Sequence, residues 1–401
     1  MADSTSQILR QHLIDPVICI RCNTCEETCP VHAISHDARN YVVDSAICNG
    51  CNACISPCPT GSIDNWRTVS KAHAYSLADQ LTWDELPPAT MPDVGKQEFD
   101  EFAPPPLDIA RTASVPPASA SKAETNRYTL KMPAIATISG NFRVTDADRD
   151  SDTHHIVLDF GSVPFPVLEG QSIGIIPPGT DERGRPHYAR QYSIASPRNG
   201  ERPGYNNLAL TVKRVTSDHE GRPVMGVASN FLCDLAKGHE VKVIGPFGST
   251  FLMPDDPASH LLMICTGTGS APMRAMTERR RRLTKTGDGR LVLFFGARTP
   301  AELPYFGPLS TLPKEFIETH LAFSRLPNQP KHYVQDLMIQ KSDQIAAMLR
   351  SEHTHLYICG LKAMEDGVMN ALQQICARHE LDWPTLHTCM KSEGRIHLET
   401  Y

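Results

Sequence analysis

The chain has 401 residues, 40% hydrophobic and 21% charged, with a formal net charge of −6; that is the composition of an ordinary globular protein long enough for two or three domains. No stretch approaches the roughly 20 apolar residues that cross a bilayer, and residues 1–10 hold no apolar signal core. No basic and aromatic residues interleave as on a nucleic-acid surface, so a cytoplasmic protein that binds neither membrane nor nucleic acid is expected. The charge is uneven: residues 1–126 carry 16 acidic and 8 basic side chains, a balance of −8, and the remainder stands at +2.

Eight of the 13 cysteines lie between positions 19 and 58. Cys19, Cys22, Cys25 and Cys29, followed by Pro30, spell C-x2-C-x2-C-x3-C-P, and Cys48, Cys51, Cys54 and Cys58, followed by Pro59, repeat it. Two-residue gaps let consecutive thiolates of a tight loop close on one cubane. The fourth Cys, beside Pro, is carried on a helical turn to the other cluster. The spacing thus assigns Cys19, Cys22, Cys25 and Cys58 to one 4Fe-4S cluster and Cys48, Cys51, Cys54 and Cys29 to a second. Two all-thiolate zinc sites would satisfy the count, but zinc modules do not use this spacing. Residues 8–70 closely resemble bacterial ferredoxins with two 4Fe-4S clusters.

Residues 72–83 can form a short helix, and prolines then crowd the chain at Pro87, Pro88, Pro92, Pro104, Pro105, Pro106, Pro116 and Pro117. This reads as a tether. About 40 such residues span roughly 30 to 40 Å if flexible, and more where polyproline stiffens them.

From residue 128 to 254, short alternating runs at 153–160, 172–176, 208–215 and 240–244, separated by Gly, Pro and Asn, predict an antiparallel barrel. Within it, Arg190 and Tyr192 stand two apart on a strand and so share a face, a cation for phosphate beside a ring for stacking. Gly226, Val227, Ala228 and Ser229 open a helix whose first N–H groups suit a diphosphate, with an N-cap as the plainer role of Ser229.

These motifs, with Ser193 after Tyr192, the Val212-Lys213-Arg214 run and the Gly245-Pro246-Phe247-Gly248 run, resemble the plant-type ferredoxin–NADP reductase family in order and spacing from about residue 134 onward. The resemblance implies FAD, with Tyr192 stacked on the isoalloxazine, Arg190 at the diphosphate, Ser193 near the flavin N5 edge, and Ser229 with its neighbours gripping the diphosphate. Ala228 stands where many relatives carry Cys.

The apolar run 261–265 leads into Thr266, Gly267, Thr268 and Gly269 and then a helix, a phosphate-cradling arrangement. With strands at 291–296, 320–324 and 355–360 it predicts a parallel α/β sheet. A 2′-phosphate calls for cations and hydroxyls, and Ser324, Arg325, Lys331, Tyr333 and Gln335 look like the family's NADPH pocket. Cys359, Gly360 and Leu361 match the strand end whose Cys lies near the nicotinamide. The terminal Glu399 and Tyr401 match the family's acid and its aromatic cover over the flavin. Cys233, Cys265, Cys376 and Cys389 are expected to be buried thiols. Arg279, Arg280, Arg281 and Arg282 form either a basic docking surface or a solvated face.

The expected organisation is multidomain, α+β and α/β: a bacterial-type ferredoxin domain (1–70), a Pro-rich linker (71–126), an antiparallel β-barrel FAD domain (127–254) and a parallel α/β NADP-binding domain (255–401). The expected cofactors are FAD and two 4Fe-4S clusters, with NADPH as donor. The module order is similar to reductase components that feed a separate di-iron oxygenase component, the expected partner. A general ferredoxin–NADP reductase with its ferredoxin tethered, and an iron–sulfur carrier with a vestigial flavin fold, are the alternatives.

Overall fold

The structure, a computed structural model, describes residues 8–17, 19–21, 23–55, 58, 62–70, 74–87, 115–148, 151–217, 221–283 and 289–400. Cys22, Tyr401 and most of the proline-rich linker lie outside the described residues. The chain divides into two compact units.

The first unit contains β1 (Ile8–Leu13), α1 (Thr24–Thr28), β2 (Ile34–His36), β3 (Tyr41–Val43), β4 (Asn65–Ser70) and α2 (Leu77–Thr82). β1 pairs antiparallel with β4, and β2 with β3. The cysteines are part of its core: Cys25, Cys29 and Cys54 are buried with Ile14, Ile34 and Ile63. So small a domain has little apolar surface to enclose, so whatever its thiols hold is also its structural centre. Helix α2 is fixed by a capping box, in which the Ser76 hydroxyl accepts the Asp79 N–H and the Asp79 carboxylate accepts the Ser76 N–H. Buried Gln80 then bonds both the N–H and the carbonyl of Val43 at 3.0 Å, tying α2 to β3.

The second unit holds two sheets. The first is built from β5 (Ala134–Arg143), β6 (Thr153–Asp159), β7 (Ser172–Ile176), β8 (Arg190–Ser193), β9 (Asn207–Lys213) and β10 (Glu240–Phe247), with α3 (Val227–Asp234) between β9 and β10. The strand order is β8-β7-β10-β5-β6-β9. The two edges meet through an antiparallel bridge between Ile194 and Leu210, which closes the sheet into a barrel. Strand β5 lies outside the four runs expected from sequence, yet it alternates in the same way: Ala134, Ala136 and Ile138 point into the barrel core with Ile156, Ile173 and Leu210.

The second sheet comprises β11 (His260–Thr266), β12 (Leu291–Ala297), β13 (Glu318–Phe323), β14 (Thr354–Gly360) and β15 (Ile396–Thr400). Its helices are α4 (Ser270–Leu283), α5 (Phe306–Ser310), α6 (Val334–Gln340), α7 (Ser342–Leu349), α8 (Lys362–Arg378) and α9 (Trp383–Ser392). All pairings are parallel, in the order β13-β12-β11-β14-β15. Its strands are apolar on both faces because both faces are covered. Leu262 and Ile264 enter one core, Leu261, Met263 and Cys265 the other. The order reverses between β11 and β14, so the crevice beyond their carboxyl ends is the place where such sheets take ligands.

Two sequence expectations are corrected here. The run 279–282 is neither a docking surface nor a solvated face. Arg280 is 2% exposed and donates to the carbonyls of Pro257 (2.7 Å) and Ser259 (3.0 Å), and Arg282 donates to those of Gly200 (2.6 Å) and Glu201 (2.8 Å). Arg279 approaches the buried carboxylate of Glu169 at 3.8 Å, and Arg281 pairs with Glu278. A helical turn sends successive residues in four directions, so a run of four arginines cannot occupy one face. Cys389 is exposed rather than buried, its thiol donating to the Glu393 carboxylate one turn on at 3.1 Å. Cys233, Cys265 and Cys376 are buried.

Candidate functional site

In the first unit, Cys29, Cys48, Cys51 and Cys54 line one cavity together with His12. Cys29 reaches it because it ends the short helix α1, where its sulfur accepts the Ala33 N–H at 3.3 Å. Burial, and then the neighbouring thiols, push Cys54 up to about 12. Several thiolates so close together need cationic compensation, which iron supplies. Among the described residues no three Cys, His, Asp or Glu side chains converge as a single-ion cage would. The four thiols line one cavity, and as soft sulfur donors they suit iron–sulfur ligation. Cys19, Cys25 and Cys58 pack against the same core.

In the second unit, β11 runs through Thr266 into a 3-10 turn, Gly267–Gly269, and then α4. This turn is pressed against the end of β14. A Cβ on Gly269 would run into the Cys359 carbonyl, and Gly360, at φ +145°, adopts a backbone that side chains disfavour. The hydroxyls of Thr266 and Ser270 are buried here without a hydrogen-bond partner among the described residues. Unpaired hydroxyls at a helix start fit an anionic ligand.

Cys359 is the register partner of Cys265 on one side and of Glu399 on the other. Burial first, then the Glu399 and Cys265 side chains, raise its thiol well above the ordinary range, which keeps it neutral. Desolvation pushes the Glu399 carboxyl up to about 7, opposed by a hydrogen bond from the Ser193 hydroxyl at 3.2 Å. Ser193 and Glu399 are thus brought together across 206 residues, Ser193 from the barrel and Glu399 from the last strand of the parallel sheet. Tyr192, half-buried, packs against the barrel core. Arg190 is exposed and donates to the Ala189 carbonyl.

At α3 the N-cap is Gly226, not Ser229, and no side chain caps the helix. The N–H groups of Val227, Ala228 and Ser229 begin the helix and have no acceptor within it. The Ser229 hydroxyl is occupied by its own loop, donating to the Gly226 carbonyl and accepting the Val215 N–H at 3.1 Å. Only backbone is offered to a ligand there, which makes Ala228 a neutral departure.

At the other edge of the parallel sheet, and at the same carboxyl end, the Ser324 and Arg325 N–H groups bond the carbonyls of Ala297 and Arg298 and hold the β13 end beside β12. Arg325 and Lys331 are exposed, and neither forms an ion pair with another described residue. Tyr333 is 46% exposed, its N–H accepted by Asp336. Gln335 lies against Gly367 of α8, and Leu361 is exposed just beyond Gly360.

Two groups of residues were not singled out by sequence. His12 stacks on Trp66 (centroids 4.0 Å apart) beside the thiol cavity, with its ring 4.0 Å from the Cys48 sulfur. His155, Glu201, Thr211, Arg274 and Tyr305 form a polar network inside the second unit. Their separation along the chain leaves no local spacing to find.

Two family models match the chain: "4Fe-4S dicluster domain" over residues 18–62 and "Oxidoreductase NAD-binding domain" over residues 263–370. The protein is therefore an oxidoreductase in which an iron–sulfur module precedes a nucleotide-binding one. Among curated relatives it is similar to the cyanelle ferredoxin–NADP reductase of Cyanophora paradoxa, 37% identical over 287 residues covering 69% of this chain and 78% of that protein. It is also similar to the ferredoxin–NADP reductase of a Spirulina species, 36% identical and covering 98% of that protein. A solved ferredoxin–NADP+ reductase from Plasmodium falciparum shares the fold, with a TM-score of 0.56 at 24% identity over 70% of this chain. The chain belongs to the ferredoxin–NADP reductase family, with a 4Fe-4S ferredoxin domain ahead of the reductase. Among the described residues no helix is long and apolar enough to cross a membrane.

Proposed function

We propose that this chain is an NADPH-dependent flavo-iron–sulfur reductase that delivers electrons to the di-iron oxygenase component of a benzoyl-CoA 2,3-epoxidase, in aerobic degradation of benzoate. When bound, FAD would convert the paired electrons of a hydride into single electrons, which two 4Fe-4S clusters carry onward.

The chain's own residues supply binding and positioning. Backbone N–H groups at Val227, Ala228 and Ser229, with the exposed cation of Arg190, would hold the flavin diphosphate, and the Tyr192 ring would cover one flavin face. The turn Gly267–Gly269, with the orphaned hydroxyls of Thr266 and Ser270, would cradle the nucleotide diphosphate. Ser324, Arg325, Lys331, Tyr333 and Gln335 would read the 2′-phosphate, and Gly360 with Leu361 would flank the nicotinamide. Cys359, neutral and small, leaves room for the reacting ring. Glu399 holds a proton near neutral pH, passed to or from the Ser193 hydroxyl 3.2 Å away. Tyr401 would act as a movable cover. In the ferredoxin domain, Cys29, Cys48, Cys51 and Cys54 would ligate one cluster and Cys19, Cys22, Cys25 and Cys58 the other.

The observation that carries the reading is the Ser193–Glu399 contact on the strand next to β14, in a chain that also has a thiol-lined ferredoxin domain. The oxygenase partner rests on module order alone. A second reading, a general ferredoxin–NADP reductase with its ferredoxin tethered, is favoured by the relatives, which are themselves ferredoxin–NADP reductases. NADPH-driven reduction of a purified oxygenase component, compared with free ferredoxins, separates the two. Preference for the oxygenase supports the first, and equal rates support the second.

A further inference from the structure

The five-residue network sits between the barrel and the parallel sheet. Arg274 lies on α4 one turn after Ser270, the residue that follows the Gly267–Gly269 turn. Its guanidinium makes a two-pronged pair with Glu201, both contacts at 2.8 Å, and also donates to the Ala195 carbonyl at 2.7 Å. Ala195 is two residues past Ser193. One side chain therefore joins the start of the nucleotide helix to the strand that carries Tyr192 and Ser193.

The remaining members hold that side chain still. Glu201 also approaches His155 of β6 at 3.4 Å. The His155 ring bonds the Tyr305 hydroxyl at 2.9 Å, and that hydroxyl pairs with Thr211 of β9 at 2.7 Å. The Tyr305 ring lies under the Arg274 guanidinium, 5.2 Å from its centroid. Tyr305 itself stands at φ 60°, ψ 23°, a left-handed conformation unfavourable for an aromatic residue, so its surroundings must hold it there. Burial works against the charge of Glu201, yet His155 and Arg274 outweigh it and bring the carboxyl down to about 2. The pair is therefore ionised around neutral pH. A planar fork that meets a carboxylate with two bonds and a carbonyl with a third fixes both distance and angle, which a single flexible bond does not.

We propose that Arg274 is a positioning residue for hydride transfer: clamped by Glu201, it sets the separation between the flavin strand at Tyr192 and Ser193 and the nucleotide turn at Gly267–Gly269. This rests on the flavin and NADPH reading above. Such a residue touches neither ligand and acts by placing two surfaces that do. Because reacting atoms must lie within a near-attack distance, a displacement of about 1 Å costs on the order of a hundredfold in rate.

The test uses the full flavin-loaded protein with Arg274→Lys, which keeps the charge but lacks the planar fork that makes the two-pronged pair. Glu201→Gln serves as a second variant should the first fail to fold. Flavin reduction by NADPH is followed by stopped flow, alongside NADP+ affinity, the long-wavelength charge-transfer absorption of the nicotinamide–flavin complex, bound flavin and thermal midpoint. The expected result is a fall in the reduction rate of roughly 30- to 100-fold, with the charge-transfer absorption weakened and flavin content and NADP+ affinity within about twofold of the parent. Glu201→Gln, which leaves Arg274 its bond to Ala195, should fall by less. A lowered thermal midpoint with rate and charge-transfer absorption unchanged overturns the proposal and leaves the network as packing. Loss of flavin in step with rate also overturns it. If the parent protein itself shows no flavin reduction by NADPH, the underlying functional reading has failed, a result distinct from either.

Discussion

Replacing Glu399 by Gln should remove the pH dependence that this carboxyl imposes on the flavin-free protein. Its native value, about 7, lies above the ordinary 4.5, so between those pH values the folded chain holds a proton that the unfolded chain has released. The neutral acid's contribution is fully present below pH 4.5 and is lost as pH rises through 7. One pH unit of difference is worth about 1.4 kcal/mol, so the whole interval amounts to about 3 kcal/mol. Glu399 as a residue is only half-buried, which reduces the effect to on the order of 2 kcal/mol. Gln keeps the shape and the hydrogen bond to Ser193 but cannot ionise. The assay is urea unfolding at pH 5 and pH 8.5, read by Trp383 fluorescence with Trp66 and Trp83 replaced by Phe, which isolates the second unit. Glu399→Gln should be close to the parent at pH 5 and more stable by about 2 kcal/mol at pH 8.5. A difference between the two proteins that does not change with pH would refute the reasoning.

Three further outcomes follow from the geometry. Arg325→Ala should raise the apparent constant for NADPH roughly tenfold while sparing NADH, since a charge-assisted contact is worth about 1.5–3 kcal/mol; steady-state kinetics with both nucleotides checks it, and equal losses would assign Arg325 elsewhere. Cys29→Ala should lower bound iron from about eight to about four atoms per chain and remove one of two cluster signals, because Cys29 lines the cavity with Cys48, Cys51 and Cys54; unchanged iron content would contradict that ligand set. Arg280→Met should destabilise the second unit by about 3 kcal/mol, since it strands the Pro257 and Ser259 carbonyls in the interior. A urea midpoint within error of the parent would return that side chain to the surface.

Much of the architecture is legible in the chain because its signals are local. The cysteine ladder fixes ligand type and order at once, the alternating run 153–160 marks a strand of the barrel, and the apolar run 261–265 marks a strand covered on both faces. The site is legible only in pieces. Nothing in the sequence places Ser193 against Glu399 or Arg274 against Glu201, because those contacts are made by sheet order and barrel closure. Reading a run as a surface failed at residues 279–282, where helix geometry turns Arg280 inward. Reading Cys389 as a core thiol failed because the last turn of α9 leaves it open to solvent beside Glu393.

The central claim, that electrons enter at the flavin and leave through the ferredoxin domain, is tested most directly by anaerobic titration of the full protein with NADPH. Flavin absorbance is followed together with the electron paramagnetic resonance of reduced clusters. Uptake of about two NADPH per chain is expected, two electrons for the flavin and one for each cluster. A chain shortened to begin near Thr125 should take up about one, still reduce ferricyanide, and fail to support the protein acceptor. If that shortened chain drives the acceptor at the full rate, the clusters lie off the electron path and the account is wrong.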